Sequence, residues 1–204
     1  MPNGTQAIHS MRDQICSALL ADVFSGQINS DEPLREHDFA KRFGVSRGSV
    51  RDAFMQLSHE RVLVYQKNCG VRVNPPPNKR DLQVFVKLRH ELEGQCLDIV
   101  KSAWTKTDDQ AIKGLLLNLR TSCEIGKVGP IAEADLALHQ YWVQRASKEL
   151  ESVWLGITVR MLVDYTLLDN YVEVYREHES IVERILQRDW KAAKSSIKEN
   201  VRCR

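Results

Sequence analysis

Residues Phe39 to Phe54 read FAKRFGVSRGSVRDAF, two short apolar periodicities meeting across a Gly-Val-Ser joint. That joint leaves few folds open. Gly44 suits the left-handed residue that ends a helix, and Ser46 suits the N-cap of the next. Past the joint, Val50, Ala53, Phe54 and Leu57 recur at helical spacing, which predicts a helix with those residues facing a core. Gly48, Arg51, Asp52 and Met55 then face outward, with Arg47 on the flank of the first turn. An earlier helix is predicted from Thr5 to Ser25, ending at Gly26, and another from Leu34 to Phe43. Downstream, RVLVYQ and VRV are β-like runs flanking KNCG, a turn composition. Three helices and a hairpin in this order predict a winged helix-turn-helix.

Charge says what such a unit would face. The whole chain carries only +2, so overall basicity does not point to nucleic acid. Between Lys41 and Arg80, however, nine basic residues stand against Asp52 and Glu60 alone. A first-turn arginine opposes the helix dipole, a cost that disappears beside a phosphate or a base edge. Arg47 and Arg51 are therefore the candidate readers of double-stranded DNA. A bidentate arginine on guanine is worth about 1–3 kcal/mol of discrimination. Two-fold protein symmetry matches an inverted-repeat operator, so a homodimer is expected.

The clearest seam is VNPPPNKRD, since three prolines cannot continue a helix. We expect residues 1–74 to form the winged helix-turn-helix domain, 75–80 a proline-rich linker, and 81–204 a second domain. After the seam every periodic stretch is helical. LQVFVKLRHELEGQCLDIVKSAW forms one long helix, TDDQ at Thr107–Gln110 a capping box, and Ile131–Ala146 another helix behind Pro130. Val153–Tyr175, His178–Gln187 and Trp190–Val201 follow. The fold class is thus mainly α, an N-terminal winged helix-turn-helix with a small β-hairpin wing and a C-terminal antiparallel all-α bundle. The five cysteines are scattered without a CxxC pair, as expected for reduced thiols. No leader pattern and no apolar run of about 20 residues is present, so a cytoplasmic protein without a membrane span is expected.

Asp135 and His139 lie four apart on one predicted helix, and His178 opens a later one. An Asp with two His is an ordinary ligand set for a divalent ion such as Zn or Ni. The same three residues would serve a metal-dependent enzyme, although no general base stands convincingly beside them. A third reading is an architectural DNA binder whose helical domain is inert.

LREHDFAKRFGVSRGSVRDAF resembles the DNA-binding domain of the GntR family of transcription regulators, with its Leu-x-Glu-x-x-Leu-Ala, Val-Ser-Arg and Val-Arg-Glu-Ala-Leu pattern. The likeness covers the whole first domain. It implies DNA contacts from Arg35, Arg47 and Arg51, with Ser46, Gly48 and Ser49 near the backbone and Gly70 at the minor groove. Gly48-Ser49 stands where Thr-Pro is usual, Ser30-Asp31 replaces Pro-Gly, and Arg61 replaces a glycine before the wing. RHELE at Arg89–Glu93, DLALH ending at His139, and HESIVERILQRDWKAAKSSIKEN resemble the FCD domain of the FadR branch, in its shorter VanR-like form. That resemblance implies a divalent metal held by Asp135, His139, His178 and a fourth position. The family has His at the fourth position and this chain has Asn200. It also implies a small carboxylate effector, for which Arg89 is the candidate partner. An ion pair between Arg89 and Glu93, four residues on, is the structural alternative. The implied protein is a ligand-responsive regulator and not an enzyme.

Overall fold

The computed structural model describes residues 10–28, 32–67, 70–162 and 170–202. The first helix, α1 (Met11–Phe24), is closed by a capping box in which Ser10 and Asp13 exchange hydrogen bonds. The expected start at Thr5 lies outside the described residues. Helix α2 (Glu36–Phe43) ends at Gly44 with φ of 66°, a left-handed turn that glycine adopts without a Cβ penalty. Leu34, expected inside this helix, instead makes a β-bridge to Val71, its N–H donating to that carbonyl at 2.7 Å. The wing thereby ties down the entry to α2.

Helix α3 (Arg47–His59) starts at Ser46, whose hydroxyl accepts from the Ser49 N–H at 3.1 Å. Val50, Ala53, Phe54 and Leu57 are buried, and Phe39 of α2 meets Phe54 edge-on at 5.7 Å. Strands β1 (Leu63–Gln66) and β2 (Gly70–Val73) pair antiparallel, with Leu63 opposite Val73 and Gln66 opposite Gly70. Asn68 and Cys69 of the expected tip, and Ser30 and Asp31, lie outside the described residues. Arg61 has φ of 62°, a conformation that favours glycine. The wing backbone thus demands what the family's glycine supplies, and this chain meets it with arginine, whose carbonyl accepts from Asn74.

After Pro75–Pro77, Asn78 caps α4 (Lys79–Val100) by accepting from the Asp81 N–H. Then come α5 (Lys106–Ile125), α6 (Val128–Ala146), α7 (Lys148–Leu162), α8 (Tyr171–Leu186) and α9 (Trp190–Asn200), giving nine helices among the described residues. Three sequence expectations shift. The capping box of α5 is Thr105 with Asp108, two residues before the TDDQ start, because Asp108 returns a hydrogen bond to the Thr105 N–H. Helix α6 begins at Val128, with Gly129 and Pro130 inside its first turn, where a missing proline N–H costs nothing. The predicted helix Val153–Tyr175 is not one element, since α7 and α8 are separate and residues 163–169 are not described. His178 therefore sits in the body of α8 and does not open a helix.

Helix α6 is the spine of the bundle, touching α4, α5 and α7 and, on its outer side, α1 of the first domain. A Cβ on Gly129 would stand only 3.1 Å from the Ala21 carbonyl oxygen, so this glycine permits the close approach of α1 and α6. Trp142 and Trp154 are fully buried in the bundle, and one apolar cluster runs from Ile15 to Val201 through both halves. No helix among the described residues is long and apolar enough to cross a membrane.

Candidate DNA-reading surface and cation centre

The exposed side of α3 presents Arg47, Gly48, Arg51 and Asp52, as the spacing predicted, with Ser46 exposed and Ser49 half-buried. Ser46 and Ser49 hydroxyls lie 2.9 Å apart, so Ser49, one of the two residues that stand where Thr-Pro is usual, closes the first turn back onto the cap. Arg35 is exposed at the N-terminal flank of α2. Gly70, half-buried at the start of β2, has φ of 79°. The local basic count overstates what is free, however. Glu36, in the first turn of α2, holds Arg51 by two hydrogen bonds, Nε to Oε1 and Nη2 to Oε2, both 2.9 Å. Arg47 Nη2 lies 3.6 Å from the same carboxylate. Hydrogen bonding from Arg51 keeps the Glu36 carboxyl below its usual range despite partial desolvation. Arg42 pairs with buried Asp22 of α1 and stacks on Phe43, so it serves the domain's packing.

In the bundle, α6 and α8 bring Asp135, His139 and His178 together, all buried, with one donor atom of each within 4.8 Å of the others. His178 Nε2 is 3.2 Å from Asp135 Oδ2 and 3.2 Å from His139 Nε2. His139 Nε2 is 4.0 Å from Asp135 Oδ1. Both outward ring nitrogens are committed elsewhere. His139 Nδ1 contacts Glu93 Oε2 at 2.7 Å, and His178 Nδ1 contacts the Val174 carbonyl at 2.7 Å. Those acceptors place the imidazole protons on Nδ1 in both rings. Two neutral Nε2 lone pairs then face each other beside a carboxylate, an arrangement that suits a cation. The donor set fits a divalent metal, with Glu93 as the outer carboxylate that orients one histidine. Without a metal, a proton is the available substitute. Burial lowers the His178 affinity for it, but Asp135 outweighs burial and raises it, while burial keeps His139 low.

Glu93 is the residue whose part sequence reasoning missed. It is fully buried, and its Oε1 accepts from Arg89 Nε at 2.6 Å and from Trp154 Nε1 at 2.8 Å. Burial pushes its carboxyl up, yet His139 and Arg89 hold it down to about 2. The four-residue spacing to Arg89 signalled the ion pair but not the reach to α6 and α7, since His139 and Trp154 are distant in sequence. Arg89 is itself buried, its guanidinium 5.7 Å from the Trp154 ring centre. Its Nη2 has no hydrogen-bond partner among the described residues. Asn200 is buried on α9, and its Nδ2 donates to Glu177 Oε2 at 3.1 Å, beside the Arg202 bridge to that carboxylate. The histidine that the family resemblance implies at this position is thus replaced by an amide held from α8.

Comparison with known proteins agrees with both halves. Residues 11–73 match the family described as bacterial regulatory proteins, gntR family, and residues 85–202 match the FCD domain. The HTH-type transcriptional repressor NagR of Bacillus subtilis is 30% identical over 83 residues, covering 40% of this chain and 34% of that protein. The match thus spans about a third of that relative's length. Among solved structures, E. coli McbR/YncC superposes with a TM-score of 0.78 at 20% identity, covering 94% of this chain and 93% of its own. A GntR regulator from Rhodococcus sp. RHA1 superposes with a TM-score of 0.72 at 17% identity, covering 94% of each. At these identities the superpositions establish the fold. The two matched regions together carry the assignment: the chain belongs to the GntR family of bacterial regulatory proteins, in the FadR-type branch that joins its helix-turn-helix to an FCD domain.

Proposed function

We propose that the protein is a cytoplasmic, ligand-responsive transcription regulator that binds an inverted-repeat operator as a homodimer. Arg47 and Arg51 read base edges from α3. Arg35 contacts the duplex from the start of α2, Ser46, Gly48 and Ser49 lie along the backbone, and Gly70 brings the wing to the minor groove. The observation that carries this reading is the exposed face of the first two turns of α3, with two arginines one turn apart behind a capped helix N-terminus. Its test is Arg51→Ala and Arg47→Ala against a duplex enriched from a random pool by the native protein. A base-reading arginine should cost about 1–3 kcal/mol and relax one position of the site. A contact to phosphate alone would instead weaken all sequences alike, and binding unchanged in both variants would remove α3 from the interface.

The helical domain would hold a divalent metal such as Zn or Ni through Asp135, His139 and His178, with Asn200 the fourth candidate. When bound, that ion supplies a Lewis-acidic anchor for a carboxylate. Arg89 is the candidate second anchor for a small carboxylate effector. Buried donors are nearly always paired, so its partnerless Nη2 is the group that a ligand oxygen would satisfy. The matched family is one of regulators, and the enzyme reading of the same three residues is dropped. Helix α7 offers a route from this site to the first domain. Trp154 touches Glu93, and two turns later Arg160 Nη2 donates to the Pro75 carbonyl at 3.0 Å.

A further inference from the structure

The structure points to Glu36 as a residue that sets the selectivity of DNA reading. We propose that it aims Arg51 at base edges while rejecting phosphates, so that the protein discriminates between specific and non-specific duplexes. The inference rests on the DNA-binding reading above. Arginine has five N–H donors in a flat fork. Glu36 occupies the edge formed by Nε and one Nη2 hydrogen, each bond 2.9 Å. The edge formed by Nη1 and the second Nη2 hydrogen points away from the carboxylate. That is the pair of donors that engages the O6 and N7 of guanine. A guanidinium held from behind loses less rotational freedom when it docks, so the hold favours the one geometry that reads a base.

The same carboxylate disfavours phosphate. Arg47 and Arg51 are one turn apart and both more than half exposed, and Glu36 lies within 3.6 Å of each. One negative charge therefore serves two positive ones at the surface. A phosphate approaching either arginine meets the Glu36 charge as well. Non-specific binding is almost entirely phosphate binding, so it bears the whole of this penalty. Glu36 has a local place too, since an acidic residue in the first turn of α2 suits the helix dipole. That role explains its presence in α2 but not its two-pronged reach across the turn to α3.

The test uses the full-length protein with two probes, a random 40-bp duplex pool and the sequence that native protein enriches from it. Affinity is measured by fluorescence anisotropy over a salt series. Glu36→Gln should steepen the salt dependence on the random pool by about one unit and raise that affinity about fivefold at 0.15 M salt. Affinity for the enriched sequence should rise less, or fall, so that the ratio between the probes drops at least about threefold. Glu36→Asp, which keeps the charge, should return the random-pool affinity to within about twofold of native. Glu36→Ala is read alongside, and replaces the Gln variant if melting shows that variant misfolded. An unchanged ratio in the folded variants would overturn the role of Glu36 while leaving DNA binding intact. Native protein that enriches no sequence would overturn both.

Discussion

At the scale of single residues, the departures from the family pattern turn out to have different physical weights. Gly48-Ser49 is benign, because Ser49 bonds back to the cap and a Cβ at Gly48 would meet only Ser46 Oγ at 3.6 Å. Arg61 is not benign. Its left-handed backbone costs a non-glycine residue about 1–2 kcal/mol. Arg61→Gly should therefore stabilise the first domain by about 1 kcal/mol, less the entropy that glycine adds to the unfolded chain, as read by the midpoint of urea unfolding. The sequence exposed Arg61 as an anomaly but not as strain, since φ is set by how the hairpin closes onto Leu57 and Asn74. In the same way Asp135 and His139 were legible from their i, i+4 spacing. Glu93's grip on His139 was invisible, because it depends on the distance between α4 and α6.

At the scale of elements, helix ends decided where the sequence could be read. Caps at Ser46 and Gly44 were plain, and α3 formed as expected. The start of α5 was misplaced by two residues because two threonines stand near an Asp-Asp pair, and only packing chooses between them. The choice of Thr105 lets Asp108 face inward. There it accepts from Arg145 Nε at 2.8 Å, Thr105 Oγ1 at 2.7 Å and the Tyr141 hydroxyl at 2.8 Å, tying α5 to α6. The Arg145 bond, with the others, holds the Asp108 carboxyl well below its usual range against the pull of burial. Unfolded, the group titrates near pH 4. Its stabilisation is therefore fully present above that pH and is lost as pH falls through the folded value. Asp108→Asn should cost about 2 kcal/mol at pH 7. It should also flatten the acid limb of the stability curve below about pH 4, measured by urea unfolding from pH 5 down to the lowest pH at which the native protein stays folded.

At the scale of the whole molecule, the seam at Pro75–Pro77 was legible as a break in helical pattern, and the contacts that cross it were not. Gly129 against Ala21 joins the bundle to α1 of the DNA-facing half, and Arg160 on the Pro75 carbonyl joins it to the linker. Both end on a backbone carbonyl, of Ala21 and of Pro75, which no side-chain pattern announces. They mean that a change at the buried Asp135, His139 and His178 need not travel through the prolines alone. A coupling of about 1–3 kcal/mol between the two sites would change DNA affinity by roughly 5- to 150-fold. One measurement tests such linkage. Affinity for the enriched duplex is compared between metal-free protein and protein given one equivalent of Zn²⁺ or Ni²⁺, in the native chain and in Asp135→Ala, with bound metal assayed in each. Near-stoichiometric metal and at least about a fivefold change in DNA affinity are expected in the native protein, both lost in the variant. Native protein that binds no metal, or binds it with DNA affinity unchanged, would contradict the linkage.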